Sequence, residues 1–141
     1  MVAQATLPLA VVGAHLSGLP LNGQLRERRA WLREATTTAP RYALYALPNT
    51  TPPKPGLVRQ AEGGHAIAVE VWEVPQTQMG SFLAMIPSPL GLGSLELADG
   101  RWVHGFTCEA HAVAPGSGAT DISHFGGWRA YLASLQTGRS S

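Results

Sequence analysis

The stretch His65 to Pro75, "HAIAVEVWEVP", decides the fold. Side chains alternate between the two faces of a strand. Ile67, Val69, Val71 and Glu73 therefore share one face, and Ala66, Ala68, Glu70, Trp72 and Val74 share the other. Both faces are largely apolar, so this strand belongs at the centre of a sheet. Glu70 lies among apolar neighbours, and a buried carboxylate has to be paired or protonated.

Its neighbours are read by the same logic. Ala5 to Ala14 is a continuous apolar run ended by glycine, the pattern of a buried strand. Pro20 to Arg28 is expected to be a short helix or turn. "RAWLREA" is a helix by propensity and a strand if it pairs with the segment after it. Arg41 to Leu47 alternates and is read as a strand. "PNTTPPKPGLVRQAEGG", 48–64, is read as one long irregular segment, stiffened by Pro52, Pro53 and Pro55 into a wall or lid. Met79, Phe82, Leu83 and Ile86 fall at helical spacing before Pro87. "LGSLELADGRWVHGFTCE" reads as a hairpin turning at Asp99-Gly100. "DISHFGGWRAYLASLQ" reads as a last helix with Ser123 as its N-cap and Phe125, Trp128, Leu132 and Leu135 on its buried face. "TGRSS" is read as a frayed tail. Strands outnumber helices, which makes an α+β domain whose sheet is expected to curl toward a small barrel.

The chain has 141 residues, enough for one domain with its own core (1–141, core about 8–135). Its formal net charge of +1 gives no handle for nucleic acid or an anionic membrane. No segment reaches the roughly 18 apolar residues of a membrane helix. The N-terminus lacks the basic start of a signal peptide. Cys108 is the only cysteine, so no intrachain disulfide forms, and a packing role in a reducing cytoplasm is expected. The histidines, His15, His65, His104, His111 and His124, have neither cysteine pairs nor metal-ligand spacing, so no metal site is expected.

"VGAHLSG", 12–18, carries the chemistry. Backbone N–H groups near glycines at a strand end can form a concave anion site. His15 in the middle, with an ordinary pKa near 6.5, can exchange a proton near neutrality. The same residues also suit a plain strand end. Glu70 and Glu96 are possible acid–base carboxylates. No G-x-S-x-G elbow or Ser-His-Asp arrangement is legible.

The segments "VGAHLSGLPLNGQL", "TTTAPRYALYALP", "PPKPGLVR", "GGHAIAVEVWEVP", "FLAMIPSPLGLGSLELADGRWVHGFTCE" and "DISHFGGWRAYL" resemble the C-terminal domain of allophanate hydrolase, in the gamma-glutamyl cyclotransferase-like superfamily. The resemblance covers about residues 8 to 135. It implies a small, mostly antiparallel β-barrel with flanking helices and a cavity at one end. It implies that the loop Val12 to Leu16 holds a carboxylate on its N–H groups, with Gly13, Ala14, Leu16 and Ser17 as contacts. Two departures stand out. Val12 replaces the superfamily's tyrosine, and "FLAMIPSPLGLG" lacks the glutamate that serves cyclotransfer.

The reaction implied instead is decarboxylation of N-carboxycarbamate made by an amidase, in urea and allophanate breakdown, with His15 as the acid. Arg59 is the cation chosen to grip the substrate, ahead of Arg41 and Lys54, and Tyr42 is chosen to orient it. No metal or organic cofactor is implied. The expected ligand is a small carboxylate and the possible partner an amidase subunit. The alternatives are a non-catalytic module that docks on an amidase, and a cyclotransferase-like enzyme or binder for another small carboxylate.

Overall fold

A computed structural model describes residues 4–138. Its strands are β1 (Thr6–Val11), β2 (Trp31–Thr37), β3 (Tyr42–Ala46), β4 (Pro55–Arg59), β5 (Ala68–Pro75), β6 (Leu90–Glu96), β7 (Trp102–Cys108) and β8 (Thr120–Asp121). Its α-helices are α1 (Asn22–Arg26), α2 (Met79–Leu83) and α3 (Trp128–Gly138). The class is α+β. Five strands form one sheet in the order β2-β5-β1-β7-β6, and β4-β3-β8 form a second. All pairings are antiparallel except β1 with β7.

The larger sheet curls without closing into a barrel. Its two outer strands approach only through an isolated bridge between Thr38 and Leu97. Hydrogen bonds from Ala98 N–H to the Thr37 carbonyl and from Ala39 N–H to the Glu96 carbonyl reinforce it.

Strand β5 is internal to its sheet, between β2 and β1, and every residue from Val69 to Pro75 is buried. Both of its carboxylates are paired. Glu73 accepts from Thr6 and from Arg33. Glu70 Oε1 accepts from the Ser17 N–H, the Ser17 hydroxyl and Trp72 Nε1, while Oε2 accepts from Arg129. Burial pushes the Glu70 carboxyl up, but these donors outweigh it and hold it below its usual value.

That cluster ties the β1–α1 loop to β5 and to α3. Glu70→Gln should destabilise the protein by about 1–3 kcal/mol, since an amide meets donors on every side. The stabilisation from a lowered carboxyl is complete above the unfolded value near 4.5 and is lost as pH falls through the folded value. Melting curves of wild type and variant should therefore converge in acid. A gap that stays constant down to low pH would show that the carboxylate charge is not what stabilises the cluster.

Several local readings change. "RAWLREA" is strand, because β2 pairs along β5 and tertiary pairing outweighs helix propensity. The segment 48–64 is not wholly irregular: Pro55–Arg59 forms β4 against β3. Proline tolerates this place because it starts an edge strand. The helix expected through Ile86 ends as α2 at Leu83, with single turns beyond it. Ser123 does not cap α3. Its hydroxyl donates to Asp121 and accepts from the Leu44 N–H, while left-handed Gly126 separates a short 3-10 turn from the helix. Leu135 is exposed rather than buried. The tail read as frayed begins inside α3, and residues 139–141 lie outside the described ones. No described helix is long and apolar enough to cross a membrane.

Candidate active site

The site is built where β1 runs out. The Leu16 N–H closes a turn on the Gly13 carbonyl, and the Leu21 N–H returns to the carbonyl of Ala14. Asn22 Nδ2 donates to the His15 carbonyl at 2.8 Å. These bonds fold residues 13–22 back on themselves and fix the ring of His15 against Phe82 and Phe106, with centroids 5.2 and 6.2 Å away.

His15 lines a narrow cleft of about 40 Å³. Gly13 and Ala14 form the same wall, Lys54 and Pro55 face it, and Met85, Ile86, Leu90 and Phe106 make the apolar remainder. Gly13 is required for the close approach. A Cβ there would overlap the ring of Pro55, with Cγ at 2.7 Å. This is how the proline-stiffened loop becomes a wall of the cleft.

Among the described residues two titratable side chains line the cleft, His15 and Lys54. Burial pushes the His15 imidazole below its usual value; the hydrogen bond to Gln24 opposes this, and the nearby charge of Lys54 adds to it. Nε2 of His15 lies 2.7 Å from Gln24 Oε1. Among the described residues no carboxylate lines the cleft.

The predicted binding residues separate into two groups. The backbone N–H groups of Gly13, Ala14 and His15 have no hydrogen-bond partner among the described residues. Those of Leu16 and Ser17 are occupied, the first by Gly13 and the second by Glu70. The contact set expected at Gly13, Ala14, Leu16 and Ser17 is thus shorter, because the protein's own Glu70 fills its far end.

Arg59 and Tyr42 do not line the cleft. They face each other across β3 and β4 at the end of β4 remote from Pro55. Four strand steps of about 3.3 Å put Arg59 about 13 Å away from it. Arg59 Nη1 bonds Glu96 at 3.2 Å and Tyr42 Oη at 3.4 Å, and its guanidinium covers Trp102. The Tyr42 hydroxyl also accepts the Glu96 N–H. Arg41 lies 3.8 Å from the same carboxylate. Glu96 is therefore the centre of a structural ion cluster. The cation that does line the cleft is Lys54, the chain's only lysine. Gln24 carries no signal in the sequence, because one glutamine on a short helix has no diagnostic spacing. Among the described residues no group of His, Cys, Asp and Glu could hold a metal ion.

Comparison with known proteins agrees along nearly the whole chain. The family model for the allophanate hydrolase C-terminal domain matches residues 7–133. Urea amidolyase of Saccharomyces cerevisiae is 45% identical over 133 residues, covering 93% of this chain and 7% of that protein. The chain thus spans a small fraction of the curated relatives it matches. Kluyveromyces lactis allophanate hydrolase superposes with a TM-score of 0.88 at 45% identity, over 92% of this chain and 21% of that one. A uropathogenic E. coli-specific protein matches at a TM-score of 0.83 and 30% identity, over 92% of this chain and 97% of its own. An AIG2-like protein of Mus musculus, 22% identical with a TM-score of 0.57, shares the fold. By sequence and by fold, the chain belongs to the allophanate hydrolase C-terminal domain family.

Proposed function

We propose that this chain acts in urea and allophanate breakdown and releases CO2 from the N-carboxycarbamate that an amidase makes. The observation that carries this reading is the cleft itself. It combines free N–H donors at 13–15, one ammonium, one buried imidazole and an otherwise apolar wall.

The chemistry balances with one proton. In the dianion ⁻O₂C–NH–CO₂⁻ one C–N bond breaks, its electron pair stays on nitrogen, and CO2 departs. A proton delivered to that nitrogen gives carbamate, H₂N–CO₂⁻. The N–H groups of Gly13, Ala14 and His15 and the ammonium of Lys54 hold the carboxylate that stays. The departing carboxylate faces Met85, Ile86 and Phe106. An apolar surface disfavours its charge and accepts neutral CO2. His15 supplies the proton.

In the free protein His15 is held below its usual value of 6.5, so it is mostly neutral at pH 7. A bound dianion favours the charged imidazolium, so substrate and proton enter together. As pH rises, kcat/KM should fall first, through the lowered pKa of the free protein, while kcat persists to higher pH. Lys54→Met should raise KM about tenfold, the loss of one charge-assisted contact. It should also move the His15 titration upward, because a like charge is gone. The test feeds allophanate through an amidase and follows CO2 release with this protein added. A rate no faster than the spontaneous reaction would sink the proposal.

The exposed Leu135 on α3 favours a second reading, a module that docks on an amidase and steadies it. Co-elution with that amidase, lost in Leu135→Asp, would support it. A chain that stays separate from the amidase at micromolar concentrations would count against it.

A further inference from the structure

We infer that Gln24 is a positioning residue that fixes which nitrogen of His15 works: its side-chain carbonyl holds Nε2–H, leaving Nδ1 to exchange protons with whatever occupies the cleft. The inference rests on the reading of His15 as the proton donor.

The geometry is specific. His15 Nε2 and Gln24 Oε1 are 2.7 Å apart. A carbonyl oxygen only accepts, so this contact is a hydrogen bond when Nε2 carries the proton. This holds for the neutral ring and for the imidazolium alike. The second nitrogen, Nδ1, has no hydrogen bond among the described residues, yet no buried side-chain nitrogen or oxygen is left without a partner. Nδ1 is therefore not sealed from the cleft. His15 lines that cleft and Gln24 does not, which puts Gln24 behind the ring.

The support behind Gln24 is built as well. Arg28 Nη1 donates to the Gln24 backbone carbonyl at 2.9 Å, and Arg28 also reaches Ser81 and Met85 on and beyond α2. Asn22, two residues earlier on α1, holds the His15 carbonyl and accepts from Arg26. One short helix thus grips both the backbone and the ring of the same histidine. Without the Gln24 carbonyl, Nε2–H has no acceptor in this wall, and the neutral ring is free to carry its proton on Nδ1. An Nδ1–H neutral ring presents a donor where the proton-accepting lone pair should be, and it turns the basic nitrogen away from the cleft.

The test reads the tautomer directly, apart from activity. In ring ¹⁵N NMR of the full chain at a pH where His15 is neutral, wild type should show Nε2–H with unprotonated Nδ1. Gln24→Met keeps length and shape and should give a mixture or the opposite tautomer. Gln24→Glu restores an acceptor and should restore Nε2–H, with a higher His15 pKa. In the CO2-release assay, Gln24→Met should lose about tenfold or more in kcat at nearly unchanged KM, part of what general acid catalysis supplies. A wild-type ring protonated at Nδ1 overturns the inference whatever the activity. So does a Gln24→Met ring that keeps the wild-type tautomer. If wild type shows no accelerated CO2 release, the function fails while the NMR arm still decides the role of Gln24.

Discussion

His15→Ala should keep the fold and lose accelerated CO2 release by about 10²–10⁴-fold, the range that a positioned acid supplies. The loss should appear in kcat, because the N–H groups of Gly13 and Ala14 and the ammonium of Lys54 survive the change. Binding of an unreactive dicarboxylate should therefore weaken by much less than the rate. The fold should survive because the His15 side chain opens onto a cleft that water can refill, unlike a sealed core position. His15→Gln controls for the lost volume and the contacts with Phe82 and Phe106. It keeps a polar group but no titratable one, so it should be as slow as His15→Ala. Thermal melts of both variants separate folding from catalysis. If either variant releases CO2 at the wild-type rate, His15 is not the acid.

The parts of this protein that could be read from the sequence are those whose physics is local. Strand β5 announces itself by alternation on two apolar faces. The hairpin β6–β7 is marked by its Asp99-Gly100 turn, and the end of β1 by Gly13. Cleft membership is different, because it depends on register between strands far apart in sequence. Arg59 and Lys54 sit in the same segment, "KPGLVR", and both are cations. Only the pairing of Tyr42 with Arg59 and of Ala46 with Pro55 decides which end of β4 meets the β1 loop. Arg59, at the far end of that strand, lies about 13 Å from Pro55 and outside the cleft. The acceptor behind His15 was hidden for the same reason, since Gln24 reaches the ring only because residues 13–22 fold back. Ser17 shows the converse. Its N–H was legible as an anion donor, and it does hold a carboxylate, but the carboxylate is Glu70, more than fifty residues along the chain.

Gly13→Ala should be the most damaging small substitution in the site. The new Cβ would fall 2.7 Å from Pro55 Cγ and closer still to Cδ. A proline ring cannot swing aside, and Pro55 is anchored by the pairing of β4 with β3. Either the β1 loop or the start of β4 has to move. Overpacking of this kind costs about 1–3 kcal/mol, which for a chain of this size lowers Tm by roughly 4–12 °C. The functional loss should exceed the stability loss, since Lys54 is Pro55's immediate neighbour and His15 is two residues from Gly13. Pushing the two walls apart separates the ammonium from the imidazole and splits the carboxylate grip. The His15 pKa should then rise toward its usual value, because both burial and the charge of Lys54 are relieved. Pro55→Ala removes the offending ring, so the double variant should recover stability relative to Gly13→Ala alone. The expected coupling exceeds about 1 kcal/mol, well beyond the additivity of distant sites. Gly91→Ala, where a Cβ meets nothing within 4 Å, is the control and should be close to neutral. Additive effects of Gly13→Ala and Pro55→Ala would mean that the two walls do not press on each other, and the cleft would need a different account of why residue 13 is glycine.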